Sequence, residues 1–201
     1  MSRAELAHFR IGDSYGGNQD WFPTFMMRIG GCGAETACDS SVYFSLHRGL
    51  TGIAPNNAAE LTKEDYVRFA YEMKPYLSPR PSGIDRLELY MDGYAQYLHD
   101  RGETRLTMTP LHGTAPYEAA RDAVVRQIDQ GYPIPTLVLN HRNRQLRNYV
   151  WHWFLLNGYD ASADAFLVKA VTYGSFEWLD LKKLWDTGHE RRGGFVLYHV
   201  D

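Results

Sequence analysis

An α+β architecture is what this sequence predicts, and three observations carry the prediction. Helical spacing of apolar residues fills the first two thirds of the chain, β-branched and aromatic runs fill the last third, and the regime changes once, near Gly131, instead of alternating. The chain has 201 residues, 44% of them hydrophobic, with 14 Tyr, 9 Phe and 5 Trp, enough to bury one substantial core. Residues 1–201 therefore read as a single domain, helical over about 33–130 and sheet over about 131–201, with the N-terminal helices packed against a C-terminal antiparallel sheet.

The elements follow in order. Residues 10–31, with Gly12, Gly16, Gly17, Pro23, Gly30 and Gly31, read as irregular structure ahead of the first element. A helix runs from Ala34 to about His47 through Ala37, Cys38, Val42, Phe44 and Leu46, and Gly49 stops it. Thr62, with Asp65 three residues on, opens a second helix through Tyr66, Phe69, Ala70 and Met73, ended by Pro75, Pro79 and Pro81. Ile84 to about Asp100 gives a third, closed by Gly102. After a short strand over Leu106–Leu111, Pro116 begins a helix that Gly131 terminates. Strands are then expected at Ile134–Leu139, Tyr149–Leu156, Ala165–Thr172 and Phe195–Val200, with one helix over about Leu179–Trp185. A turn at Tyr159–Asp164 joins the second and third of these strands as a hairpin.

Charge and cysteine usage narrow the function classes. A net charge of -3 gives no electrostatic reason to expect nucleic acid or an anionic membrane surface as partner. Met1–Tyr15 carries Arg3, Glu5, Arg10 and Asp13 without an apolar core segment, and no run of eighteen apolar residues follows, so a cytoplasmic protein is expected. Cys32 and Cys38 are separated by about 9 Å of helical rise, too far for a disulfide, and should both be free thiols. They form no Cys-x-x-Cys pair, so no structural metal is expected. The glycines of residues 12–17 lack a preceding strand and the phosphate-loop lysine, which leaves no nucleotide or other cofactor site.

One cysteine sits where a nucleophile is built. Gly30-Gly31-Cys32-Gly33-Ala34 places Cys32 among glycines at the start of a helix, where the backbone can turn sharply and the helix terminus favours a thiolate; the alternative is a small buried hydrophobe. Its base is expected to be His152, a polar ring inside the otherwise apolar Val150-Trp151-His152-Trp153-Phe154-Leu155-Leu156 run. A satisfied core histidine is the alternative there. Two further features read either way: Trp21, Phe22, Phe25, Met26 and Met27 as a substrate groove or as core, and Arg142, Arg144 and Arg147 as an anion site or a solvated loop.

The Gly-Gly-Cys-Gly-Ala segment and the late Trp-His-Trp-Phe-Leu-Leu-Asn-Gly-Tyr-Asp segment resemble the papain superfamily, and more narrowly its bacteriocin-processing cysteine peptidase-like group. The resemblance implies a papain-like fold and acyl transfer through a thioester on Cys32, with His152 as base. Its third member would be an Asp or Asn on the strand after His152; counting through the hairpin puts Thr172 at that place. The oxyanion donor would be Gln19, with Asn18 as alternative. A thiol-dependent, cysteine peptidase-like hydrolase acting on a peptide or small acyl substrate is thus the expected function. An acyl transferase or amidase, or a papain-like binding module without turnover, are the alternatives.

Overall fold

The computed structural model describes residues 2–80, 83–162 and 164–201; Pro81 and position 163 of the expected hairpin turn lie outside them. The chain begins with three short strands, β1 (Arg3–Glu5), β2 (Arg10–Ile11) and β3 (Ser14–Tyr15), and then four helices, α1 (Phe25–Gly30), α2 (Cys32–His47), α3 (Lys63–Met73) and α4 (Leu87–Asp100). Strand β4 (Leu106–His112) and helix α5 (Tyr117–Asp129) lead into β5 (Ile134–Val138), β6 (His152–Asp160), β7 (Leu167–Thr172) and β8 (Ser175–Asp180). Helix α6 (Leu181–Trp185) and β9 (Gly194–Val200) close the chain.

The sheet has seven strands in the order β4-β9-β5-β6-β7-β8, with β1 pairing antiparallel to the far end of β6. Every pairing in it is antiparallel. Along β9 the side chains alternate faces as a pleated strand must. Val196 and Tyr198 join a core built with α2, α3 and α4, whereas Phe195 and Leu197 join a second core under α5 and α6. Helices thus cover both faces, one more layer than the expected arrangement of helices against a sheet.

Helix α2 is the centre of the larger core. Residues Cys32 to Phe44 are all buried, so the helix is enclosed on every side and amphipathic patterning has little purchase on it. It packs across β6, α3 and the start of the chain. Helix α3 begins with the capping box the sequence announces, Thr62 and Asp65 each bonded to the other's backbone N–H.

Several boundaries differ from expectation. The segment read as irregular contains α1, and α2 starts at Cys32 itself, with Gly31 as N-cap. Strand β6 starts at His152, because Arg144–Tyr149 winds into a 3-10 turn and Trp151 adopts φ 53°. The segment expected to open a helix at Leu179 instead ends strand β8; α6 begins two residues later, where the Asp180 side chain accepts from the backbone N–H groups of Lys182 and Lys183.

Candidate active site

The two residues read from the sequence as nucleophile and base are the first residue of α2 and the first residue of β6. Helix α2 crosses β6 so that the Cys32 sulfur reaches the chain at the His152–Trp153 peptide; the backbone N–H groups of Trp153, Gly33 and Cys32 all favour its thiolate. Gly33 keeps this end of the helix close-packed, since a Cβ there would meet the Ile84 side chain at 2.8 Å. His152 Nε2 lies 2.7 Å from Thr172 Oγ1. Nδ1 is left without a hydrogen-bond partner among the described residues, and no hydrogen bond among them joins sulfur and ring.

A two-residue hairpin turn fixes the ring. Thr172 and Ser175 are directly paired, so Tyr173 and Gly174 form the turn between β7 and β8, both with positive φ (51° and 68°) as such turns require. That conformation lays the Tyr173 ring over His152, centroids 4.8 Å apart and planes within 4°. The turn is itself held by the start of the chain: Asn18 Nδ2 donates to the Tyr173 carbonyl at 3.2 Å, and the Tyr15 N–H donates to the Gly174 carbonyl at 2.8 Å. Trp151, the residue before His152, is half exposed, with Nε1 donating to Asn140 Oδ1 at 3.2 Å. Neither Tyr173 nor Trp151 was expected at the site. A Tyr-Gly pair between two strand-like runs was the signal for the first.

Burial dominates the electrostatics. Cys32 is 7% exposed and its thiol is pushed up to about 11, mainly by burial with Glu35 adding to it. His152 is 3% exposed, and burial pushes its imidazole down to about 4. At neutral pH both groups are uncharged. Thr172 contributes a neutral hydroxyl, which orients the ring without stabilising an imidazolium as a carboxylate would.

Behind the sulfur, Glu35 and Asp39 stand one turn apart inside α2. Asp39 is well supplied, accepting from Tyr66 Oη at 2.6 Å and from the Gly17 N–H at 3.1 Å, with His8 Nε2 at 3.7 Å. Glu35 is not, since its Oε2 has no partner among the described residues. Burial, then Asp39 and Asp20, hold its carboxyl well above the usual carboxylate range, against the Gln19 backbone N–H that favours ionisation. Ionisation of Glu35 is thus disfavoured.

Gln19 is buried close to this cluster, but its Nε2 donates to the Arg28 carbonyl at 2.6 Å and its Oε1 is unpartnered. One amide hydrogen is therefore committed to α1, and Asn18 is committed to the Tyr173 turn. The aromatic and Met cluster divides: Phe22 and Met27 are core, whereas Phe25, Met26 and Ile29 form an exposed apolar face on α1, just ahead of Cys32. Cys38 lies fully buried, and both cysteines are free. Among the described residues, no helix is long and apolar enough to cross a membrane. No family model matches this chain, and no curated protein does.

Proposed function

We propose that this protein is a papain-like, thiol-dependent acyl-transfer enzyme, a cysteine peptidase-like hydrolase acting on a peptide or small acyl substrate. Cys32 is the nucleophile, His152 its base, and Thr172 the residue that orients the ring. The single observation that supports the reading is that the Cys32 sulfur, at the start of α2, meets the backbone N–H of Trp153, the residue after His152, whose Nε2 lies 2.7 Å from the Thr172 hydroxyl. That leaves Nδ1 as the ring atom to take a proton from the thiol, directly or through the substrate's approach.

With both groups neutral in the resting state, proton transfer accompanies attack. The thiol proton moves to His152 as the sulfur adds to the carbonyl carbon, and the imidazolium returns that proton to the leaving group as the thioester forms. Water or an amine then attacks the thioester, His152 again taking and returning a proton. The N-terminal N–H groups of α2 would serve as oxyanion donors, with the remaining Gln19 amide hydrogen as an additional one.

The test is acylation. With p-nitrophenyl acetate, intact-mass analysis and peptide mapping are expected to find an acetyl adduct on Cys32. Cys32→Ala abolishes it, and His152→Ala slows it by about 10²–10⁴. Acylation in His152→Ala as fast as in the unaltered protein removes the base and with it the proposal.

A binding module without turnover is the second reading. The enclosed thiol at about 11 and the Thr172 hydroxyl in place of an acid favour it. It predicts no adduct from any activated ester.

A further inference from the structure

We propose that the cavity between the loop joining β5 to β6 and the loop joining α6 to β9 is a subsite for an oxyanion, carboxylate or phosphate, carried by the substrate of Cys32. Assigning the anion to a substrate rests on the acyl-transfer reading above; the binding of the anion does not. The cavity has a volume of about 620 Å³, and Arg142, His189, Arg191 and Arg192 line it.

Charge is concentrated here against the sign of the whole molecule. The chain carries a net charge of -3, yet residues 140–151 contain Arg142, Arg144 and Arg147 and neither Asp nor Glu. Folding adds Arg191 and Arg192 from a loop some fifty residues later in sequence. The one acid in the lining, Glu190, forms no ion pair with these arginines among the described residues.

Two of the arginines are held in place. Arg192 Nε donates to the His189 carbonyl at 2.7 Å and its Nη1 to the Gly113 carbonyl at 3.3 Å. Arg191 pairs with Asp85 and lies over the Trp151 ring, 5.3 Å from its centroid. The Arg142 side chain lies along Gly188, where φ is +71° and a Cβ would meet Arg142 Cδ at 2.5 Å. Its guanidinium nevertheless has no hydrogen-bond or ion-pair partner among the described residues. Arg142 is exposed, and an unpaired guanidinium facing a cavity is suited to a planar oxyanion.

Both walls of the cavity attach to the candidate active site. Trp151, bonded to Asn140 of the cavity lining, immediately precedes His152. Asp85, the partner of Arg191, follows Ile84, whose carbonyl accepts from Trp153 Nε1 at 2.6 Å and whose side chain packs on Gly33. A substrate with its carbonyl at Cys32 would extend an anionic end past Trp151 into the arginines.

Two measurements on the full chain test this. Calorimetric titration with glutarate and, separately, inorganic phosphate is expected to show saturable binding of at least one, weakened about tenfold or more in Arg142→Gln; which anion binds tells carboxylate from phosphate. Binding of neither, or binding indifferent to Arg142→Gln, overturns the subsite. In parallel, p-nitrophenyl hemiglutarate is expected to acylate Cys32 with a kcat/KM about tenfold above p-nitrophenyl valerate, and Arg142→Gln is expected to collapse that ratio. Equal rates for the two esters overturn the link to the substrate. If neither ester acylates Cys32 while an anion binds through Arg142, the acyl-transfer reading falls and the anion site stands.

Discussion

Lys169 and His152 sit on neighbouring strands of one sheet, each a basic side chain almost wholly buried, at 5% and 3% exposure, and the molecule treats them in opposite ways. Lys169 is surrounded by partners: Nζ donates to Glu5 Oε2 at 2.9 Å and to Tyr15 Oη at 2.8 Å, and lies over the Phe176 ring at 4.0 Å. Burial alone would lower its pKa, but Tyr15 and Glu5 outweigh it and the net shift is upward. His152 has one neutral hydroxyl and a stacked tyrosine, and burial pushes it down to about 4. A buried basic group with every donor answered reads as structure, because its ordering is its job. One left short of partners is the kind of group that proteins put to chemical use.

The sharpest way to break this contrast is acid. Unfolded, His152 titrates at 6.5; folded, at about 4. The unfolded chain therefore takes up the proton first, and stability is lost as pH falls from about 6.5 towards 4, by roughly 3 kcal/mol at the lower end. His152→Gln is expected to flatten urea midpoints measured across that window. A slope unchanged by the substitution would mean that the ring is not the buried neutral base described here.

Lys169→Met should act on the other half of the comparison. It removes the ion pair to Glu5 and the bond to Tyr15, and a loss of about 2 kcal/mol in urea unfolding at pH 7 is expected, with acylation of Cys32 unaltered. A variant that keeps its stability but loses acylation reverses the assignment of the two residues.

The smallest expected effect tests the third position. Thr172→Asp places a carboxylate beside His152 Nε2, and the ring should titrate about one pH unit higher, equivalent to about 1.4 kcal/mol. Imidazole proton shifts followed by NMR against pH read this directly. Titration still near 4 would show that the side chain at 172 does not govern the ring.

What the sequence disclosed follows from where patterning has force. Helices α3 and α5 have one solvated face, a cap or a proline at the start, and apolar residues at helical spacing, and both were legible. Strand β8 was not, because Ser175–Asp180 is half exposed at the edge of the sheet and mixes Phe, Glu, Trp and Asp without clean alternation. Helix α1 was hidden for a similar reason, with Phe25, Met26 and Ile29 facing outward. The pairing of His152 with Thr172 was reached by counting back from a turn, yet the register differs. Leu155 faces Val171 and Leu156 faces Ala170, with an irregularity before Tyr159, so Thr172 is a diagonal neighbour of His152 and its hydroxyl closes the gap. Gln19, read from the sequence as an oxyanion donor, instead donates from Nε2 to the Arg28 carbonyl, a link that depends on α1, which spacing alone did not reveal. Glu35 was passed over because a glutamate at that position reads as an ordinary first-turn acid.

Trp151 and Tyr173 are the two non-glycine residues with left-handed backbone among those described. Such torsions cost on the order of 1–3 kcal/mol each and persist only where the surroundings enforce them. One precedes His152 in the chain and the other lies flat against its ring. Both left-handed positions thus border one buried imidazole.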